Sequence, residues 1–175
     1  MKNKFNIVIV GVILVAGVLF YSFAGNKIKS NDETAKVDKN GKQLSEYTIE
    51  EKQAFTSAQW KMFLTPIEYS VLREAGTETP FTGDLLHNDK KGVYVTADCG
   101  EEVFHSDQKY DSDTGWPSFW APIREGAVEL KSDMSLGEER IEVLSPKCKS
   151  HLGHVFDDGP APTGKRFCIN SVALK

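Results

Sequence analysis

The chain is predicted to fold as a mainly β domain. Antiparallel β-sheets form a compact barrel-like body with short N-terminal helices, preceded by an N-terminal transmembrane or signal helix. Three observations carry this prediction. From residue 92 onward, short apolar and aromatic pieces alternate with Gly, Pro and Asp at intervals typical of antiparallel strands. None of these pieces is long enough to be the helix of a parallel crossover. Upstream, two helix-start signals and one continuous apolar run stand apart from that pattern.

In chain order, Phe5 through Ala24 is an unbroken apolar run behind Lys2 and Lys4. Its length is close to the ~20 residues that span a bilayer, and its even hydrophobicity has no amphipathic stripe. Residues 1–25 are therefore expected to be a signal anchor, with the body outside the cytoplasm because the basic flank is N-terminal. Ser22-Phe23-Ala24 has the small-x-small form of a cleavage site, so release as a secreted domain is the alternative. Residues 26–45 are polar and have no apolar period, which reads as a solvated tether. The folded domain is placed at residues 46–175.

The domain begins with helices. Thr48-Ile49-Glu50-Glu51 and Thr65-Pro66-Ile67-Glu68 each put Thr at the cap and Glu three residues on, and the second adds proline at the first helical position. Ile67, Val71, Leu72 and Ala75 make one apolar stripe, and Gly76 is the expected stop. The expected strands are Val93-Tyr94-Val95, Val103-Phe104, Phe119-Trp120, Ala127 to Leu130, Arg140 to Leu144, His154-Val155-Phe156 and Arg166 to Ala173. The formal net charge of −4 becomes more acidic without Lys2 and Lys4, so no nucleic-acid partner is expected.

Candidate chemistry gathers near the C-terminus. Cys99, Cys148 and Cys168 are an odd number of cysteines, so at most one bridge forms and one thiol remains. Cys168 lies two residues after Arg166 and two before Asn170. On a strand this alternation puts a cation, a sulfur and an amide on one face, and arginine beside sulfur favours the nucleophilic thiolate. The competing reading is a buried cysteine acting as a small hydrophobe. His151 and His154 read either as metal ligands or as a hydrogen-bonded structural pair, with no standard ligand spacing to complete a metal set. Asp157-Asp158-Gly159-Pro160 is a turn whose carboxylates can orient a histidine. Gly115 to Trp120 is an aromatic cluster, either core or a recognition wall with an indole N–H as its handle.

These pieces also recur together in a known order: Leu64-Thr65-Pro66 with Val71 to Glu78, Pro80-Phe81-Thr82-Gly83, Lys109-Tyr110-Asp111-Ser112, Gly115 to Phe119, His151 to Phe156, and Arg166 to Ser171. On these motifs, residues 46 to 175 resemble the methionine-R-sulfoxide reductase family of the B type. The resemblance implies a thiol-dependent reduction in which Cys168 attacks the sulfoxide sulfur and is left as a sulfenic acid. It gives proton delivery to His151 and His154, helped by Asp158 and Asn170, lets Arg166 lower the thiol pKa, and seats the substrate methyl group on Trp116. The implied partners are oxidised proteins or peptides containing methionine-R-sulfoxide, a thioredoxin-like or other thiol reductant, and a membrane through residues 5–24.

The chain departs from the family pattern at sulfur positions. Many members bind a structural zinc through two Cys-x-x-Cys pairs, and here those positions read Thr96-Ala97-Asp98-Cys99 and Ser145-Pro146-Lys147-Cys148. No structural zinc and no other cofactor is therefore expected. Because the two halves of such a site converge, Cys99 and Cys148 become candidates for a disulfide. Self-regenerating members often carry a cysteine where this chain has Thr114. Either Cys99 or Cys148 resolves the sulfenic acid or an external thiol meets it, and the external route is expected. Two other readings are a cysteine hydrolase using Cys168 with His154 and a membrane-tethered non-catalytic binder of oxidised methionine. The first marks no oxyanion hole, and the second leaves the intact cluster around Cys168 unused.

Overall fold

The computed structural model describes residues 36–175, so the expected membrane or signal helix lies outside the described residues. Among the described residues, no helix is long and apolar enough to cross a membrane.

Three short helices open the domain: α1 (Ile49–Gln53), α2 (Ser57–Phe63) and α3 (Pro66–Glu74). All three start with the same device. A threonine hydroxyl accepts the amide N–H three residues on, and the Glu or Gln at that position accepts the threonine amide, in Thr48/Glu51, Thr56/Gln59 and Thr65/Glu68. The sequence reading identified the first and third of these starts. On α3, Val71 and Leu72 are buried, while Ile67 and Ala75 are exposed, so the apolar stripe is narrower than expected. The helix stop also sits one residue earlier. Ala75 takes the left-handed turn at φ 55°, and Gly76 is needed because a Cβ there would lie 2.7 Å from Ser70 Oγ.

The strands follow as β1 (Val93–Val95), β2 (Glu102–His105), β3 (Lys109–Tyr110), β4 (Ser118–Phe119), β5 (Glu129–Asp133), β6 (Arg140–Leu144), β7 (His151–Phe156) and β8 (Arg166–Ile169). Strands β1 and β2 form an antiparallel pair. The other six form one antiparallel sheet in the order β3-β4-β8-β7-β6-β5. The mainly β, antiparallel expectation holds. The barrel-like closure does not, because β3 and β5 are unpaired edges. β3 is only two residues long, and the central residues of β5, Leu130, Lys131 and Ser132, are exposed, so no strand among the described residues closes the sheet at that edge.

Phe104, Phe119, Leu152, Val143 and Ile169 are fully buried and join the two sheets to Val71 and Leu72 of α3. Phe104 stacks on Phe119 with centroids 4.4 Å apart and tilts against Phe167 at 5.7 Å. Phe119 is thus core, while Trp116 and Trp120 stay half-buried.

A second region holds the loop between β1 and β2 against the loop between β6 and β7. Cys99 and Cys148 are joined by a disulfide with Cα atoms 6.5 Å apart. The two turns repeat one another. Thr96 Oγ1 accepts the Glu101 amide at 3.1 Å, and Ser145 Oγ accepts the Ser150 amide at 3.2 Å. Each turn passes through a left-handed residue, Gly100 or Lys149. Glu101 crosses between them, its two oxygens accepting the amides of Lys147 (3.0 Å) and Cys148 (3.2 Å). The fully buried Asp98 carboxylate accepts from Ser150 and Arg73, and Arg73 also donates to the Cys148 carbonyl at 3.0 Å, tying α3 to this lobe.

Candidate active site

Cys168 lies between two strands, opposite Ser118 of β4 and His154 of β7. The close approach of β7 to β8 depends on Gly153, where a Cβ would fall 2.1 Å from the Cys168 carbonyl oxygen. Cys168 is the free cysteine. It shares a cavity of about 130 Å³ with Thr77, Trp116, Arg140, His154 and Asn170, walled further by Gly153 and Phe156. That volume suits one small group, such as the end of a side chain. Burial pushes the thiol pKa up, opposed by the Thr114 hydroxyl, 3.8 Å from the sulfur, and by the positive charge of Arg166. The expected Arg166 effect is therefore present but does not dominate.

The expected acid Asp158 is placed elsewhere. It holds Arg166 in a bidentate pair, 2.8 Å to Nε and 2.7 Å to Nη2, and the guanidinium lies over the Phe156 ring. Because the turn carrying Asp158 returns next to Arg166, this carboxylate orients the arginine and neither histidine. Two unforeseen carboxylates from β5 and β6 serve the histidines. His151 Nδ1 donates to Glu142 Oε1 at 2.7 Å, and His154 Nε2 donates to Asp133 Oδ2 at 2.8 Å. A carboxylate only accepts, so these bonds fix which ring nitrogen carries the proton. The other ring nitrogen of His154, Nδ1, has no hydrogen-bond partner among the described residues. Asp133 also accepts from Arg140 Nη2 at 2.6 Å. Its hydrogen bonds to Ser135, hydroxyl first and then amide, together with His154, hold its carboxyl well below the usual range.

The two histidines face different spaces. His154 lines the cavity with Cys168, whereas His151 lines a separate one with Glu142, Lys131 and Leu144. Their rings meet edge to face with centroids 5.3 Å apart. Burial lowers the His151 pKa, with Glu142 opposing.

Trp116 and Asn170 are held by a residue the sequence reading left without a role. The Glu78 carbonyl accepts the Trp116 indole N–H at 3.2 Å, and the Glu78 amide donates to Asn170 Oδ1 at 2.9 Å. The Glu78 carboxylate accepts the Ser171 and Val172 amides at 2.6 and 2.9 Å. The indole N–H is therefore no handle for a ligand, and Trp116 offers its ring instead. Asn170 Nδ2 donates to the Leu152 carbonyl at 3.0 Å, so this amide is committed on both ends.

A family model described as the SelR domain matches residues 64–175. The peptide methionine sulfoxide reductase MsrB of Methanosarcina barkeri (strain Fusaro / DSM 804) is 60% identical over 116 residues, 66% of this chain and 82% of that protein. The protein of the same name from Leptospira interrogans serogroup Icterohaemorrhagiae serovar Lai (strain 56601) is 56% identical over 116 residues, covering 66% and 88%. That of Bradyrhizobium diazoefficiens is 52% identical over 128 residues, covering 73% and 92%.

Proposed function

The chain belongs to the methionine-R-sulfoxide reductase B family, and from that premise we propose that Cys168 is the atom on which its chemistry begins. The reaction is the thiol-dependent reduction of methionine-R-sulfoxide to methionine, so the hydrolase and binder readings have no support. The carrying observation is that the free Cys168 shares one small cavity with Trp116, His154 and Asn170. The Cys168 thiolate attacks the sulfoxide sulfur, and its electron pair reduces that sulfur as the oxygen passes to Cys168. His154 takes up at Nδ1, the ring nitrogen Asp133 leaves free, a proton equal to the one the thiol gave up, and as the imidazolium delivers it to that oxygen. The products are methionine and a sulfenic acid on Cys168. Trp116 receives the methyl group on its ring while the oxygen lies on the polar side, an arrangement that admits one epimer. Asp133 positions His154, Arg140 holds Asp133, and Glu78 fixes Trp116 and Asn170. His151 stands one layer behind with Glu142, and Arg166, held in place by Asp158, favours the thiolate while the Asp158 charge itself opposes it.

Recycling falls to an external thiol, thioredoxin-like or another. A first thiol forms a mixed disulfide with loss of water, and a second releases Cys168 as a thiol. Supporting this, Thr114 has no sulfur to offer, and Cys99 and Cys148 are bonded to each other. The same bond argues against a structural zinc, since neither sulfur is a thiolate and the Thr96 and Ser145 hydroxyls already accept amide N–H groups. The expected setting is a domain anchored through residues 5–24 outside the cytoplasm. The basic N-terminal flank and a disulfide, which persists in oxidising compartments, both favour it.

Incubating the full-length protein with each sulfoxide epimer and a thiol tests the reading. The R epimer is consumed, the S epimer remains, and Cys168→Ser consumes neither. Turnover retained by Cys168→Ser would remove Cys168 from the reaction.

A further inference from the structure

Four contacts run in a line away from the reactive sulfur. Thr114 Oγ1 is 3.8 Å from Cys168 Sγ, Ser112 Oγ is 2.8 Å from Thr114 Oγ1 and 2.7 Å from Ser118 Oγ, and Ser118 Oγ is 3.2 Å from the Trp116 carbonyl oxygen. Ser118 is fully buried, and Ser112 and Thr114 are half-buried. We propose that Thr114, Ser112 and Ser118 form a directed hydroxyl wire that ends on Cys168 and reverses when the thiol ionises, making Thr114 a catalytic residue that holds the thiolate. This rests on reading Cys168 as the attacking sulfur.

The direction follows from counting protons. Each hydroxyl has one proton to donate, and a carbonyl only accepts. The Ser118 proton therefore goes to the Trp116 carbonyl. Ser112 must then donate to Ser118, Thr114 to Ser112, and the thiol S–H to Thr114. Four protons satisfy four contacts, and no other assignment does so.

Once the thiol gives its proton to solvent, three protons remain for the same four contacts. A thiolate accepts only, and a hydrogen bond to charge outweighs one between neutral groups. Thr114 turns its proton to the sulfur, Ser112 turns to Thr114, and Ser118 turns to Ser112. The contact surrendered is Ser118 to the Trp116 carbonyl, at 3.2 Å the longest oxygen–oxygen contact of the chain. Only hydroxyl rotations are required. Three aligned dipoles then point at the sulfur, and each strengthens the next.

Other groups facing Cys168 are Arg166 on its own strand, Asp158 paired with that arginine, Tyr110 on β3, His154 opposite it on β7, and Arg140 of β6, which lines the same cavity. Substitution at Thr114 or Ser112 leaves all of them in place. Cys168 is also the one thiol free to react, since the other two cysteines are bonded.

The test is the pH dependence of Cys168 alkylation by iodoacetamide in the full-length protein, read by mass spectrometry without substrate. Thr114→Val keeps the shape and removes the proton, and its alkylation midpoint should rise by about one pH unit, with ~10-fold slower alkylation near neutral pH. Thr114→Ser should keep the wild-type midpoint. Ser112→Ala, which does not touch the sulfur, should move it upward by less. An unchanged midpoint in Thr114→Val overturns the wire, as does a Thr114→Ser shift equal to that of the valine variant. If the valine variant does not fold, Ser112→Ala decides: an upward shift supports the wire and no shift overturns it. Alkylation reports the charge on sulfur alone, so its failure leaves the reductase reading intact. Retained turnover in Cys168→Ser removes that reading without touching the alkylation result.

Discussion

The disulfide lobe and the catalytic face both have hydroxyls where many family members carry sulfur, and the two regions put them to different use. In the lobe, Thr96 and Ser145 each accept a backbone amide inside their own turn, and the two turns are joined by the Cys99–Cys148 bond, Glu101 and the buried Asp98. At the catalytic face, Thr114 makes no such backbone contact and lies against the reactive sulfur. The same exchange of sulfur for oxygen thus supports folding in one place and chemistry in the other. The environment decides: a hydroxyl closing a turn satisfies an amide, and a hydroxyl beside a thiol adjusts its charge.

This division separates stability from turnover, and the largest expected effect is in the lobe. Arg73→Ala leaves the fully buried Asp98 without its cation, which should cost about 3–5 kcal/mol in denaturant unfolding, while turnover per folded molecule is unchanged. A loss of turnover as large as that of stability would merge the two regions. The next effect is removal of the bridge. Cys99→Ala with Cys148→Ala releases a link spanning 49 residues and should cost about 2–5 kcal/mol, again without a change in the R-epimer preference. The smallest is a pH slope from His151, whose folded pKa is held below 6.5 by burial. As pH falls through about 6.5 the unfolded chain binds a proton that the folded chain resists, so stability declines with falling pH. His151→Gln should show a flatter decline between about pH 7 and 5, whereas an equal slope would place the titration elsewhere.

What the sequence revealed follows the range of the interactions. The α1 and α3 starts are local four-residue signals and were legible. The α2 start uses Gln59 in place of glutamate and was missed, although its hydrogen bonds match the other two. Cys168, Trp116 and His154 sit in contiguous motifs and could be named. Glu78 could not be assigned a role, because its partner Asn170 lies 92 residues away and only strand packing brings them together. Asp133 and Glu142 were missed for the same reason. Their strands reach the histidines through sheet register, whereas Asp158, nearer in sequence, is turned onto Arg166. The Ser112 link is equally hidden, since nothing in Lys109-Tyr110-Asp111-Ser112 shows that its hydroxyl joins Thr114 to Ser118.

The most direct measurement is a single turnover of the full-length protein with methionine-R-sulfoxide in the absence of thiol. It is followed by a sulfenic-acid trapping reagent and peptide mapping without reduction. Methionine should form in equal amount to the trapped adduct on Cys168, with the Cys99–Cys148 peptide intact. Methionine formed while Cys168 is found bonded to Cys99 or Cys148, or with no adduct on Cys168, would contradict the division between the two regions and the route drawn through the sulfur.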